Sequence, residues 1–379
     1  MAMICLLVIG KMEISHGNKF NFKFGQTMKK IFILMAAAAV MFAASCNKME
    51  EVNTPVEPVV ETEFITIDLN PMTKTSLDGK ATVWTEGDEV SVTVGGENIG
   101  SLKLVKGTTS TFSGEVKAGK TGAATLNYPA GVTSVPTTQA AVAGSFANGA
   151  ALLEGTTTMD ALRAGEGAQL SNTTALLQFS VAQAGDVTFE VGTTKYTVTG
   201  CQTGKTYYAC VAPSANVNFT ARIGGYLSRK ASKNVTFAAN TISNLDALPA
   251  PEVCEWGLVG AHQGWNLSEA NLTKLYKEGD NLYVVKNITL QASGFKFTEL
   301  KNTNWNLTFG SHSGSYKYNV NDGWYAGIYT NNRGDKESDI QVSDWTKSYD
   351  VYLRYMRNES WGKELGFSIV ETGKPHPAL

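Results

Sequence analysis

The chain contains few of the residues that build metal and acid–base sites. Its 379 residues include five cysteines and four histidines, and these are not spaced as zinc ligands are. Lysine and arginine together number 32, against 34 aspartates and glutamates, so the basic surface typical of nucleic-acid-binding proteins is not indicated. We therefore expect neither a zinc site nor a nucleic-acid partner.

Long apolar runs are also scarce. The run 31–44 is too short to span a bilayer comfortably. It follows Met28-Lys29-Lys30 and ends in small residues, as a secretory signal peptide over 28–45 would. Ala43-Ala44-Ser45-Cys46 resembles a bacterial lipobox, which implies that Cys46 is lipidated and that acyl chains anchor the protein. The alternative is ordinary cleavage, which would leave Cys46 as a free thiol.

The flanks of this signal complete the export prediction. We interpret residues 1–27 as a misassigned upstream extension, with Met28 as the true initiator. Residues 46–62 are acidic and contain proline, which favours a tether. The start of this stretch resembles the acidic signal of lipoproteins that reach the outer face of the outer membrane. We expect a surface-exposed outer-membrane lipoprotein.

The remaining composition favours an all-β fold. Glycine is abundant (37), short segments are rich in Thr, Ser, Val and Asn, and helical periodicity is missing after the N-terminus. In the segment 64–69, Ile65, Ile67 and Leu69 alternate with Phe64, Thr66 and Asp68, as in a half-buried strand. We predict tandem β-sandwiches over 63–250, with a possible division near 165, and a further domain over 251–379.

The segment 63–250 resembles fimbrillin-like domains of Bacteroides-type bacteria. The matching motifs are Thr73-Lys74-Thr75 with Leu77-Asp78-Gly79, Val83-Trp84 with Glu86-Gly87-Asp88-Glu89-Val90, the segment 172–179, and the segment 207–213. This resemblance implies transthyretin-like β-sandwiches and a structural or adhesive surface role.

Tryptophan is concentrated at the other end of the chain. Six of the seven tryptophans lie between residues 251 and 379, among Asn, Gly, Ser and Lys. A sugar ring has an apolar C–H face and a polar rim, so a flat, partly exposed aromatic beside donors and acceptors suits it. The pattern favours carbohydrate binding over acid–base catalysis.

Residues 254–371 resemble one glycan-binding module of the SusE/SusF starch-binding lipoproteins. The resemblance rests on Trp256-Gly257 with Val259-Gly260, Gly264-Trp265-Asn266, Gly294-Phe295-Lys296-Phe297, and Trp305 followed by Gly310. It implies an immunoglobulin-like, carbohydrate-binding sandwich that takes starch or another α-glucan as its polysaccharide partner. It also implies membership of a Sus-type uptake complex.

Five residues are candidates for glycan contact: Trp265, Lys296, Asn304, Trp305 and Trp324. Trp265 and Trp324 lie in turn-rich polar segments, where an exposed aromatic suits stacking. Strand parity places Phe295 and Phe297 in the core and Lys296 on the opposite face. For Trp305, parity with Leu307 and Phe309 favours the core, whereas the family resemblance favours stacking.

The sequence gives little support for a catalytic function. We therefore expect that the protein is not an enzyme and that it has no catalytic residue and no cofactor. A glycosidase needs two carboxylates across the scissile bond, but the acidic residues near 322–344 lie in loops without apolar framing. We interpret them as solvated charges, with a calcium site as the alternative. The main hypothesis is non-catalytic polysaccharide capture at the cell surface. The alternative is a fimbrillin-like structural or adhesive protein that binds a protein partner.

Two local predictions can be compared directly with the structure. The sequence around Gln202–Lys205 indicates a β-hairpin in which Cys201 and Cys210 are badly placed for a direct bond, so we expect buried free thiols. The segment Leu267–Lys277 is predicted to be a short helix.

Overall fold

The computed structural model describes residues 60–69, 84–302, 305, 308–311, 316–321, 323–326, 328–329, 338–359 and 362–378. Within these ranges the protein is almost entirely β-structure, which confirms the predicted all-β class. The predicted signal peptide, residues 46–59 of the tether with Cys46, and the motif at 73–79 lie outside the described residues, as does Asn304, and the predicted end of the tether at 62 overlaps the start of the first strand. Among the helices of the described part, none is long and apolar enough to cross a membrane.

The first part of the chain forms a seven-stranded sheet, here called the N-terminal sheet, whose order is β1-β4-β3-β2-β5-β7-β8. A short helix, α1 (Met159–Arg163), packs against it. The strands in chain order are β1 (Thr62–Asp68), β2 (Glu89–Val94), β3 (Glu97–Leu104), β4 (Thr111–Lys117), β5 (Ala123–Tyr128), β6 (Thr138–Ala140), which joins another sheet, β7 (Leu153–Thr158) and β8 (Ser171–Asn172).

Buried and exposed side chains alternate along β1 as predicted. Ile65, Ile67 and Leu69 are at most 2% exposed, whereas Phe64 is 69% exposed. The apolar side of the sheet is closed by α1 and by Trp84, whose ring meets those of Phe112 and Tyr128 edge-on. The other face of β1 is exposed and carries Phe64, Thr66 and Asp68.

The next part is a two-layered middle sandwich. A five-stranded sheet, ordered β15-β14-β10-β11-β6, faces a three-stranded sheet, ordered β12-β9-β17. The rings of Phe179 and Phe189 meet between the layers at 4.9 Å. The strands are β9 (Ala175–Val181), β10 (Gly185–Val191), β11 (Thr194–Cys201), β12 (Thr206–Val211), β13 (Ser214–Val217), β14 (Phe219–Ile223), β15 (Tyr226–Lys230), β16 (Val235–Phe237) and β17 (Ile242–Leu248), with β13 and β16 forming a separate pair.

The predicted hairpin around Gln202–Lys205 is wrong. Strands β11 and β12 belong to different layers, so the turn between them crosses the sandwich. The phenol of Tyr207 accepts a hydrogen bond from the amide of Gln202 at 2.8 Å and fixes this crossing. The prediction of buried free thiols is confirmed for Cys201 and Cys210.

The last part forms an eleven-stranded C-terminal sheet. Its main path is β23-β26-β21-β18-β19-β20-β27-β28-β24, and β22 pairs with β21 and β25. The strands are β18 (Val253–Gly260), β19 (Thr273–Gly279), β20 (Leu282–Thr289), β21 (Phe295–Glu299), β22 (Thr308–Gly310), β23 (Tyr316–Tyr318), β24 (Tyr325–Ala326), β25 (Ile328–Tyr329), β26 (Ile340–Val342), β27 (Ser348–Glu359) and β28 (Gly362–Glu371).

This sheet curves around its own core. The rings of Phe297 on β21 and Phe367 on β28 lie 6.0 Å apart, although several strands separate them along the sheet. Phe295 and Phe297 are fully buried, which confirms their predicted core positions, and Trp256 is buried with them at 3% exposure.

The predicted helix over Leu267–Lys277 is wrong. The segment turns at Ser268, whose carbonyl accepts from the amides of Asn271 and Leu272, and then enters β19. Strand β19 lies between β18 and β20 and pairs with both. Sheet pairing on two sides outweighs the local preference for a helix.

The middle sandwich and the C-terminal sheet meet at a set of residues here called the joint: Glu190, Arg222, Tyr226, Glu278 and Lys286. Arg222 donates two hydrogen bonds to Glu278, with Nη2–Oε1 at 2.8 Å and Nη1–Oε2 at 2.9 Å, and its Nε lies 3.2 Å from Glu190. Lys286 donates to the Gly225 carbonyl at 3.0 Å. The phenol of Tyr226 accepts from the Lys286 amide.

Candidate functional site

The site begins with a tight loop that follows β18. A 3-10 turn (Ala261–Gln263) leads to Gly264, whose φ of +76° is in the left-handed region. Trp265 follows with a φ of +57°, which is unusual for a bulky side chain. Its amide donates to the Gly260 carbonyl at 2.9 Å and closes the loop.

Two polar side chains hold this conformation in place. The side-chain oxygen of Gln263 accepts from the Asn266 amide at 2.7 Å, and its nitrogen donates to the Asn266 carbonyl at 2.9 Å. His262 lies 3.0 Å from the hydroxyl of Thr273 on β19. Burial lowers the pKa of His262, which favours its neutral form. The loop is thus pinned at both ends, with the half-buried indole of Trp265 between them.

Trp305 approaches from a second loop. It lies in a turn before β22, and its carbonyl accepts from the Thr308 hydroxyl at 3.4 Å. Its side chain is 44% exposed. The parity prediction that placed Trp305 in the core is therefore wrong, because the residue lies in a turn and its side chain is exposed.

The structure brings Trp265 and Trp305 together. Their ring centroids are 6.0 Å apart and their planes are inclined by 52°. The pair forms an angled aromatic surface. Sequence reasoning selected both tryptophans separately but did not identify Gln263, because a single glutamine in a loop carries no recognisable pattern.

Lys296 projects from β21 beside β18, where it lies opposite Val259. Its ammonium group is 3.6 Å from the carboxylate of Asp339, and its side chain is only 15% exposed. The residue is therefore part of an ion pair and is not a solvated lysine. Its predicted role as a donor to sugar hydroxyls stays a prediction.

Trp324 occupies a different setting. Its indole nitrogen donates to the Ala378 carbonyl at 3.1 Å, and the guanidinium of Arg354 lies 5.6 Å from its ring centroid. It packs against a small buried cluster, as does Tyr226 of the joint; the cluster consists of Leu282, Val284, Tyr352 and Val370. Among the described residues, no ring contact links Trp324 to the Trp265–Trp305 pair. Its proposed glycan contact stays a prediction.

The carboxylates considered for calcium are only partly described. Asp339 faces Lys296, and Asp344 accepts from the amide and hydroxyl of Thr346. Hydrogen bonds from Thr346 lower the pKa of Asp344. In the described ranges, no three His, Cys, Asp or Glu side chains are grouped so that they could hold a metal ion. Asp322, Asp335 and Glu337 lie outside those ranges.

Comparison with known proteins gives distant likenesses only. No protein-family model and no curated protein matches the chain. A fimbrial protein from Bacteroides ovatus is 10% identical with a TM-score of 0.31, and the match covers 51% of this chain and about half (52%) of that one. A second protein from Bacteroides ovatus, described as a putative cell adhesion protein, is 13% identical with a TM-score of 0.29; 57% of this chain and 97% of that one are covered.

A third likeness is to a protein from Bacteroides uniformis with the same description. It is 12% identical with a TM-score of 0.28, over 48% of this chain and 93% of that one. TM-scores of this size are too low for an argument about fold or function to rest on them.

Proposed function

We propose that the chain is a non-catalytic adhesive protein of the bacterial surface whose C-terminal region binds a carbohydrate. The observation that carries this proposal is the Trp265–Trp305 pair. Two indoles inclined by 52° at 6.0 Å offer separate stacking faces to neighbouring sugar rings. Rings that turn relative to one another along the chain, as in starch and other α-glucans, suit an angled pair better than a flat one.

The backbone of Trp265 supports a binding role. A non-glycine residue in the left-handed region costs about 1–3 kcal/mol and persists only where its surroundings enforce it. Gln263, Asn266 and the Gly260 carbonyl provide that enforcement here. The conformation holds the indole beside Trp305 before any ligand arrives, which reduces the ordering cost of binding.

Surface display follows from the export signals. The predicted lipidation at Cys46 would anchor the protein in the outer membrane, and the stretch 46–62 would hold the β-domains away from it. Many copies on one surface would strengthen a weak single site by avidity. Capture of a polysaccharide before uptake, within a Sus-type complex, is the corresponding cellular role.

A polysaccharide panel tests the proposal. Purified protein should be retarded in affinity electrophoresis by an α-glucan, and calorimetry should give a saturable heat with the corresponding oligosaccharide. Mannan and xylan provide the comparison. Failure to bind any of the three would overturn carbohydrate binding.

A protein ligand is the second candidate. Exposed tryptophans are also frequent anchors of protein interfaces, and Trp305 is the most exposed tryptophan among the described residues. The structural neighbours are described as fimbrial or cell adhesion proteins, which is compatible with either ligand. Attachment to a surface coated with host proteins, lost in Trp305→Ala and unaffected by added glycans, would favour this candidate.

A further inference from the structure

The polar face of the N-terminal sheet contains a cavity of about 370 Å³. This volume lies within the range of small-molecule sites, roughly 300–1,000 Å³. The floor is formed by β2, β3, β5 and β7, and the wall by the loop around Val132 and by Leu152 and Thr173. It lies in a different sheet from the tryptophan pair.

Strand register places a row of polar groups along the floor. Ser91 on β2 lies opposite Asn127 on β5, and Asn127 lies opposite Glu154 on β7. Thr93 is two residues from Ser91 and therefore projects from the same face. The intervening Val92 is fully buried in the core on the other side. An amide, a carboxylate and two hydroxyls thus converge from neighbouring strands.

Most of these polar side chains make no hydrogen bond or ion pair with another described residue. Within the described residues, the side chains of Thr93, Asn127 and Glu154 take part in no hydrogen bond or ion pair, whereas the Ser91 hydroxyl only approaches the Asn127 carbonyl at 3.5 Å. Some other carboxylates on this sheet are in ion pairs: Glu97 binds Lys117 and Lys120, and Glu63 binds Arg163. The negative charge of Glu154 is therefore available to a ligand.

Apolar side chains also line the cavity. Val132 is 38% exposed, and Leu152 is half-buried beside it. A ligand in this cavity would contact hydrocarbon on one side and hydroxyl, amide and carboxylate groups on the other. A sugar ring has these two faces, and an amine on the ring would match the carboxylate.

We propose that this cavity binds an amino sugar with a free amine, with Glu154 pairing with the ammonium group and Asn127, Ser91 and Thr93 bonding the hydroxyls. The site does not depend on the proposed tryptophan site, since none of its residues is shared. It would give the chain a second sugar specificity, directed at a charged ring.

The test uses a trimer of β-1,4-linked glucosamine and its fully N-acetylated form, titrated into the full chain at a pH low enough to keep the amine charged. The glucosamine trimer should bind, and the N-acetylated trimer should bind at least about tenfold more weakly because it carries no charge. Equal affinity for the two, or no binding of the glucosamine trimer, would overturn the proposal.

Three variants test whether the glucosamine trimer binds in this cavity. Glu154→Gln should weaken binding of the glucosamine trimer about tenfold or more. Glu166→Gln removes an exposed glutamate that does not line the cavity and should leave the affinity unchanged. Trp305→Ala should also leave it unchanged, so failure here is distinguishable from failure of the tryptophan site. A Glu154→Gln variant that binds as tightly as the wild type would contradict the assignment.

Discussion

Trp265 and Trp305 come from two separate loops, and their rings meet at 6.0 Å with an angle of 52° between the planes. Neither position depends on the other, because Trp265 is fixed by the Gly260 carbonyl and Trp305 by its turn before β22. Removal of one ring should leave the other in place. The pair can therefore be dissected by single substitutions.

The first prediction concerns the exposed member of the pair. Trp305→Ala should weaken α-glucan binding by about 1–3 kcal/mol, the usual range for a stacked aromatic hot spot, without lowering the thermal midpoint. Calorimetry and thermal unfolding measure the two effects. An unchanged affinity would remove Trp305 from the site.

Two further variants serve as comparisons for Trp305→Ala. Phe64→Ala removes an aromatic that is 69% exposed on β1, in the N-terminal sheet, and should not affect glycan binding. Trp324→Ala should cause a smaller loss than Trp305→Ala. The Trp324 indole already donates to Ala378 and lies beside Arg354, which leaves less of it for a ligand.

The second prediction concerns the joint. The side chains of Arg222 and Glu278 are 16% and 14% exposed. Arg222→Met should lower the free energy of unfolding by about 1–3 kcal/mol, because Glu190 and Glu278 lose their shared partner in a poorly solvated place and keep only Lys195 and Lys286. Urea titration followed by tryptophan fluorescence gives the difference.

Lys120→Met is the matched control for Arg222→Met. It breaks the ion pair with Glu97 at the protein surface, where solvent screens the charges, and should change stability little. Equal effects of the two substitutions would show that the joint contributes no more than a surface pair.

The third prediction is a pH dependence at Glu190. Burial acts to raise its pKa, but Arg222 and Lys195 outweigh burial and hold the pKa below its ordinary 4.5. Its contribution to stability is therefore complete above about pH 4.5 and is lost as the pH falls through the lowered value. Glu190→Gln should show a shallower loss of unfolding free energy in acid. Identical slopes in urea titrations across this range would contradict the prediction.

The fourth prediction concerns the middle sandwich. Burial raises the pKa of Cys201 to about 11, with Asp186 adding to the shift, and burial raises that of Cys210 to about 12. Only the thiolate is reactive, so both should resist a thiol reagent at about pH 8 and react after unfolding in urea. Rapid labelling of either residue in the native protein would be the opposite result.

The same shifts imply a loss of stability in base. The unfolded thiols begin to ionise near their ordinary pKa of 9, whereas the folded ones remain protonated to about 11 and 12. The free energy of unfolding should therefore fall as the pH rises from 9 through these values. Cys210→Ser should reduce this slope.

The sequence was most informative where one face of a strand is buried. Ile65, Ile67 and Leu69 alternate with polar or exposed neighbours, and Phe295 and Phe297 do the same around Lys296, so period-2 patterning predicted their burial. Patterning is reliable there because it reports directly on the two sides of one sheet.

Errors arose where long-range pairing decides the conformation. Leu267–Lys277 contains residues that suit a helix, but β18 and β20 pair with β19 from both sides. The turn after Cys201 resembles a hairpin, yet β12 pairs with β9 in the other layer. Trp305 was placed on a strand, but it lies in a turn. None of these partners is visible within a short window of sequence.

The sequence identified both tryptophans of the pair as candidates, but it did not predict how they are arranged. Trp265 and Trp305 were both named from the sequence, but their contact depends on the left-handed turn at Gly264 and Trp265. The cavity beside Glu154 carries no motif, since its residues come from four strands and four connecting segments.

The joint has a mechanical consequence for the two β-domains that it links. A pull on the C-terminal sheet would load the Arg222–Glu278 fork in shear and pass into β14, which is held inside a five-stranded sheet. Such loading spreads force over several bonds at once. The strands β10 and β15, which flank β14, would share a load applied to the C-terminal sheet.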